Sequence, residues 1–141
     1  MSKYFDNWTS RQDVINDFFP FYDWADDDRE KWPEGPPPED FPSDEEILIA
    51  WYDTADYSGS ALVVFERDGL LYEVHGSHCS CYGLEGQWKP EETSIQALGM
   101  RKLGKEEEYW SSYGPQWPDE AVTLYHELFP PFTPLDHEPR P

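Results

Sequence analysis

The pair Asp68-Gly69, set between two short runs of strand-forming residues, constrains the fold of this chain more than any other feature. An Asp-Gly pair in this setting is typical of a two-residue type I′ turn, whose central positions both need positive φ angles. The turn predicts an antiparallel hairpin in which Phe65 lies opposite Tyr72, so that one face of the pair is aromatic and β-branched. The flanking runs are residues 61–65 and 70–74.

The pattern along the chain predicts an α+β protein built on a small antiparallel β-meander packed with helices. The predicted helices begin at recognisable start signals, such as Ser10 placed three residues before Asp13, or Pro90 and Pro118 followed by acidic residues. About three strands are predicted, at residues 46–53, 60–67 and 70–75. Helices are predicted near residues 10–19, 90–102 and 118–128.

Two stretches rich in proline interrupt this pattern. Residues 25–44 combine acids with five prolines, which is typical of an extended, solvated connector, and residues 130–141 are predicted to form a flexible tail. Residues 1–141 together are expected to form a single domain, because that length is typical of one hydrophobic core.

The charge of the chain limits its partners. Its 141 residues include 30 acidic and 10 basic ones, which gives a formal net charge of −20. Such a chain repels nucleic acid and anionic membranes, because both are bound through Lys and Arg. We therefore expect a protein partner with a basic surface, no direct binding of nucleic acid and no membrane association. The absence of an apolar span or leader pattern predicts a cytoplasmic protein.

Acidic clusters and aromatic side chains are the candidates for partner binding. Clustered carboxylates can occupy a basic groove in place of a phosphate backbone, although charge runs also serve solubility alone. Trp and Tyr dominate interface hot spots, although the same rings can instead cover the sheet. The acidic candidates are Asp26, Asp27, Asp28, Glu106, Glu107 and Glu108, and the aromatic ones are Trp8, Phe18, Phe19, Phe21, Tyr22 and Trp24.

The stretch from His75 to Cys81 is the candidate for metal binding or thiol chemistry. Its zinc-competent side chains are His75, His78, Cys79 and Cys81. A structural zinc site normally joins two separated pairs of ligands, whereas these four lie within seven residues, and nearby acids raise the pKa of a thiol. The alternative is a tight loop after the third strand, with Gly76 supplying unusual backbone angles. We find no nucleotide-binding, calcium-binding or zinc-protease motif and expect a non-enzymatic protein with no required cofactor.

The block SGSALVVFERDGLLYEVHGSHCSCYGLEGQWKPEET, residues 58–93, resembles a segment found in small, mostly uncharacterised proteins encoded by bacteriophages and prophages. The resemblance covers about a quarter of the chain and implies a viral origin and a host protein as the partner. It carries no catalytic residues.

Together these features predict an acidic phage-type protein that binds and inhibits a basic, nucleic-acid-handling host protein in the bacterial cytoplasm, as a DNA mimic does. An anti-restriction protein, an anti-CRISPR protein and an RNA polymerase inhibitor belong to this class. The alternative is a zinc- or thiol-dependent module centred on His75 to Cys81. The oligomeric state does not follow from the sequence.

Overall fold

A computed structural model of the protein describes residues 3–20, 35–53, 59–78, 83–100 and 118–130. These residues form a mixed five-stranded sheet, ordered β1-β2-β3-β4-β5, with three helices. The predicted α+β class is therefore confirmed, but the sheet has five strands where we expected about three. The elements are β1 (Tyr4–Asp6), α1 (Arg11–Phe18), β2 (Ile47–Asp53), β3 (Gly59–Arg67), β4 (Leu70–His78), β5 (Glu91–Thr93), α2 (Ile95–Gly99) and α3 (Asp119–Leu128).

The central hairpin has the predicted turn and the predicted register. Asp68 and Gly69 both have positive φ angles, 54° and 81°, as a type I′ turn requires. Phe65 lies opposite Tyr72, and their rings stack with centroids 5.2 Å apart. Because the turn fixes the register, every side chain of β3 and β4 is assigned to a definite face of the sheet.

The two additional strands are short and lie at the edges of the sheet. Strand β1 pairs with β2 in parallel, with Phe5 beside Trp51, so the sheet is mixed rather than purely antiparallel. Strand β5 pairs antiparallel with β4 and places Glu92 beside Tyr72. Each edge strand is three residues long, and such short, charged edges discourage uncontrolled strand pairing.

The helix expected at residues 90–102 begins later than the sequence predicts. Its first residues form β5, and α2 starts only after Ser94, whose hydroxyl accepts a hydrogen bond from the amide of Ala97 at 3.1 Å. Proline followed by two glutamates is a good helix start, but pairing with β4 outweighs that local preference.

Helix α1 begins at the predicted cap. The Ser10 hydroxyl accepts a hydrogen bond from the Asp13 amide at 3.3 Å. The Asp13 carboxylate in turn accepts hydrogen bonds from the amide and hydroxyl of Thr9, both at 2.8 Å, and these contacts lower the pKa of Asp13. Helix α3 likewise spans almost the whole of its predicted range.

The sheet separates two hydrophobic cores. Helix α1 covers one face, and α2 and α3 cover the other, on which Glu66, Glu73 and His75 alternate with apolar residues. The core beneath α1 contains Trp8, Val14, Ile15, Phe18, Phe41, Ile47, Ala50, Tyr52, Ala61, Val63, Phe65, Val74 and Leu84. The core beneath α2 and α3 contains Phe5, Ile49, Trp51, Leu62, Val64, Leu98, Ala121, Tyr125 and Phe129.

Part of the predicted connector belongs to the first core. Phe41 is only 5% exposed, and its ring stacks on Trp88 with centroids 4.4 Å apart. Arg11 donates a hydrogen bond from Nε to the carbonyl of Pro42 at 2.7 Å. Residues 41–42 therefore do not belong to a solvated connector, which was predicted for residues 25–44. The buried ring of Phe41 and the hydrogen bond to the Pro42 carbonyl hold them to the domain. Residues 25–34 and the predicted tail after Pro130 lie outside the described residues.

Candidate acidic binding surface

The end of the sheet that carries the β3–β4 turn is rich in exposed carboxylates. The start of β2 and the end of β3 meet there, and the Glu66 amide donates to the Glu46 carbonyl at 2.9 Å. The segment before β2 reaches the same place, since a carboxylate oxygen of Asp40 lies 4.0 Å from Arg67. We call this surface the acidic end, and its carboxylates are Glu39, Asp40, Asp44, Glu45, Glu46, Glu66 and Asp68.

Arg67 organises the acidic end through a two-point contact with Glu46. Its Nε and one terminal nitrogen donate to the two carboxylate oxygens at 3.1 and 2.9 Å. The Ser43 amide also donates to this carboxylate, at 2.9 Å. These contacts lower the pKa of Glu46 to about 2, with the Arg67 hydrogen bonds as the main cause. One fixed carboxylate therefore neutralises the arginine, and the neighbouring acids keep the surface negative.

Replacing Glu46 with glutamine should remove an acid-sensitive part of the folding stability. The pKa of Glu46 is lower in the folded chain than in the unfolded one. The stabilisation that its carboxylate provides is therefore complete above the ordinary pKa of 4.5 and is lost as the pH falls towards about 2. We expect wild type and Glu46→Gln to differ in free energy of unfolding above pH 4.5 and to converge below it. Urea unfolding at a series of pH values measures this, with Glu45→Gln as the control. Parallel curves down to the lowest pH would contradict it.

Lys3 contacts an acidic residue at the same end of the molecule. Its ammonium group donates to the carbonyl of Asp44 and lies 3.8 Å from the carboxylate of that residue. The hydroxyl of Tyr4 also donates to this carboxylate, at 2.6 Å, and burial together with this contact raises the pKa of Tyr4. The side chains of Asp40 and Asp44 remain 82% and 61% exposed. Lys3 and Arg67 are therefore held in contacts within the fold, whereas the carboxylates of Asp40 and Asp44 are exposed to solvent.

The described part of the His/Cys stretch, residues 75–78, lies in the half of β4 that is remote from the β3–β4 turn. Strand β4 ends at His78, which is opposite Gly59 at the start of β3. His75 is exposed on β4, and its Nε2 contacts the largely buried carboxylate of Glu73. Within the described residues, no three potential ligands come together as a metal site. Cys79, Cys81 and the side chain of His78 lie outside the described residues.

Gly76 does not open the loop predicted after the third strand, because it is an ordinary strand residue of β4. The reason for a glycine here is a close neighbour: a Cβ atom at this position would lie 2.8 Å from Cδ2 of Leu84. Ser77 is held by the side chain of Gln87, which donates to its carbonyl at 2.8 Å and accepts from its amide at 2.9 Å. The glutamine amide thus makes the two contacts that a further strand would make.

The predicted aromatic anchors divide into two groups. Trp8 and Phe18 are fully buried in the first core, and Phe19 packs against it. A side chain with no exposed surface cannot reach a partner of the folded protein, so Trp8 and Phe18 are core residues here. The other predicted partner-binding residues, Phe21, Tyr22, Trp24, Asp26, Asp27, Asp28, Glu106, Glu107 and Glu108, lie outside the described residues.

The acidic end cannot be recognised from the sequence alone, because its residues are distant in the chain. Asp40, Glu46 and Arg67 meet only when β2 pairs with β3. One local signal is present: Ser43 and Glu46 have the spacing of a capping box. The Ser43 amide donates to the Glu46 carboxylate at 2.9 Å, and the Glu46 amide donates to the Ser43 hydroxyl at 3.2 Å.

Comparisons with protein-family models, curated proteins and solved structures find no match to this chain. Among the described residues, no helix has the length and apolar character needed to cross a membrane.

Proposed function

We propose that this protein binds the basic, nucleic-acid-contacting surface of a host protein and blocks it, as a DNA mimic does. The acidic end is the observation that carries the proposal. A net charge of −20 favours association with a basic partner, and the carboxylates of the acidic end are concentrated at one end of the sheet, where Lys3 and Arg67 are both engaged by acidic side chains. The resemblance of residues 58–93 to phage and prophage proteins agrees with a host protein as the target.

The mode of binding follows from the exposure of these carboxylates. Each exposed ion pair formed with a partner contributes about 0.2–1 kcal/mol, so affinity depends on several pairs acting together. The long-range field also accelerates encounter with a positive surface, and salt screens it over about 8 Å at physiological ionic strength. Binding should therefore be strong at low salt and weak at high salt. Polynucleotide should compete with this protein for the basic surface of the partner.

A pull-down followed by competition tests the proposal. The tagged full chain is incubated with bacterial lysate at low and high salt, and captured proteins are identified by mass spectrometry. We expect a basic protein that binds DNA or RNA, is released by salt and, once purified, exchanges this chain for its own polynucleotide. Capture that is insensitive to salt, or a target that holds polynucleotide and this chain together, would contradict the proposal.

Two matched triple variants locate the surface. The first neutralises the acidic end by Glu39→Gln, Glu45→Gln and Glu66→Gln; the second changes Glu91, Glu120 and Glu127 to glutamine. All six side chains are exposed and both variants have the same net charge. We expect the first variant to bind the captured target about tenfold more weakly, from the summed pair energies, and the second to bind nearly as wild type does. Equal weakening would show that total charge matters and the acidic end does not.

A second candidate function is a zinc- or thiol-dependent module centred on His75 to Cys81. The contact between Glu73 and His75 favours it, because zinc-bound histidines commonly hold their second ring nitrogen against a carboxylate. Metal analysis of the purified protein tests it. Stoichiometric zinc that is lost in Cys79→Ser and kept in Ser80→Ala would support a zinc site, and metal-free folded protein would contradict it.

A further inference from the structure

We propose that the patch formed by Leu70, Tyr72 and Trp88 is where an arginine-rich segment of the basic partner docks. This inference rests on the proposed function and specifies the contact surface and the partner chemistry. Leu70 is 43% exposed, and Tyr72 and Trp88 are each partly exposed. Leu70 and Tyr72 alternate along β4 on the face that carries Phe65, and we call these three residues the aromatic patch.

The rings of the patch are held in place from beneath. Trp88 stacks on Phe41 at a centroid distance of 4.4 Å and lies nearly parallel to Phe65 at 6.1 Å. Tyr72 stacks on Phe65 at 5.2 Å. Since packing already fixes these rings, a partner that binds them loses little side-chain entropy in doing so.

Carboxylates border the patch on two sides. Glu92 is exposed and lies directly beside Tyr72 in the register of β4 and β5. Asp68 and Asp40 lie at the turn, next to Leu70 and Arg67. Arg67 itself is neutralised by Glu46, so this base does not cancel the charge of Glu92 and Asp68. An apolar surface bordered by carboxylates fits a partner whose side chains combine a positive charge with a planar or apolar part.

Arginine matches this surface better than lysine. Its planar guanidinium stacks on aromatic rings and pairs with carboxylates at two points, whereas an ammonium group is a strongly hydrated point charge. The chain uses the same chemistry internally: Arg67 lies 5.5 Å from the centroid of Phe65 and Arg11 lies 5.2 Å from that of Phe41. A second copy of this chain is a poor occupant, because each copy carries a net charge of −20.

The test uses the full chain with fluorescent oligoarginine and oligolysine peptides of equal length, read by anisotropy. The patch variant combines Leu70→Gln with Glu92→Gln. The control combines Ile95→Gln with Glu127→Gln and removes one exposed aliphatic side chain and one charge elsewhere. We expect wild type to prefer oligoarginine, and the patch variant to bind oligoarginine about tenfold more weakly. The control should stay within about twofold of wild type.

The possible outcomes test the docking surface and the proposed function separately. If patch and control variants bind oligoarginine equally, the aromatic patch is not the docking surface, although the proposed function stands. If wild type binds neither peptide, the proposed function itself fails. Near-UV circular dichroism confirms that each variant is folded, and Tyr72→Thr provides a second variant that should abolish the arginine preference alone.

Discussion

Replacing Trp8 with alanine is expected to lower the free energy of unfolding by about 3–5 kcal/mol, the cost typical of removing a large buried ring. Trp8 has no exposed surface, and its ring centroid lies 5.2 Å from Tyr52 and 6.0 Å from Phe18. Its Nε1 also donates a hydrogen bond to Asp17 at 2.6 Å. The substitution therefore leaves a cavity beneath α1 and removes a polar contact, a large loss for a domain whose total stability is typically about 5–15 kcal/mol.

Urea unfolding followed by far-UV circular dichroism measures this loss. Ile95→Ala is the matched control, because Ile95 is 52% exposed and its truncation should change the free energy of unfolding by no more than about 0.5 kcal/mol. If Trp8→Ala were as stable as this control, Trp8 would not be a core residue, and it would return to the candidates for partner binding.

Replacing Phe41 with alanine is expected to lower the free energy of unfolding by about 3 kcal/mol, as for other buried aromatic rings. Phe41 is buried against Trp88, contacts Phe19 edge-on at 6.1 Å and lies under the guanidinium of Arg11. The alanine variant should therefore loosen both the segment before β2 and the C-terminal end of α1.

The control for Phe41→Ala is Glu39→Gln in the same segment, because Glu39 is exposed and its substitution should change the free energy of unfolding by about 0.5 kcal/mol at most. Thermal unfolding and urea unfolding both measure the difference in stability between the two variants. If both variants were equally stable, residues 35–44 would be the solvated connector that their prolines predict.

The parts of the fold that sequence reasoning predicted are those whose signals are local. Asp68-Gly69 determines a turn by its own backbone preferences, and the register of β3 and β4 follows from it. Ser10 caps α1 through a contact made within one helical turn. These elements required no knowledge of the rest of the chain.

The parts that were missed depend on distant partners. Residues 4–6 and 91–93 are too short to show a strand pattern, and each is a strand only because β2 or β4 lies beside it. The prolines around Phe41 indicate a solvated segment, yet Trp88 supplies the surface that buries its ring. Glu66, Glu73 and His75 alternate with apolar residues, and this local pattern does not reveal that helices from later in the chain cover that face.

The candidate site also has features that the sequence predicts and features that only the fold determines. Net charge and the kind of partner follow from composition, whereas the positions of the carboxylates follow from strand pairing that joins residues 39–46 to residues 66–68. Aromatic residues near α1 were good candidates by type, but residue type alone cannot distinguish a hot spot from a core position.

Strand β3 lies at the centre of the sheet with every residue from Ala61 to Phe65 buried. Its amide protons should exchange with deuterated water only when the whole molecule unfolds, so their exchange rate measures global stability. A target bound at the acidic end, or any other ligand that binds only the native protein, would slow that exchange roughly in proportion to the ratio of its free concentration to its Kd, without touching the strand. Val63 and Val64 thus offer a built-in reporter for any ligand of the native protein, including one that has yet to be identified.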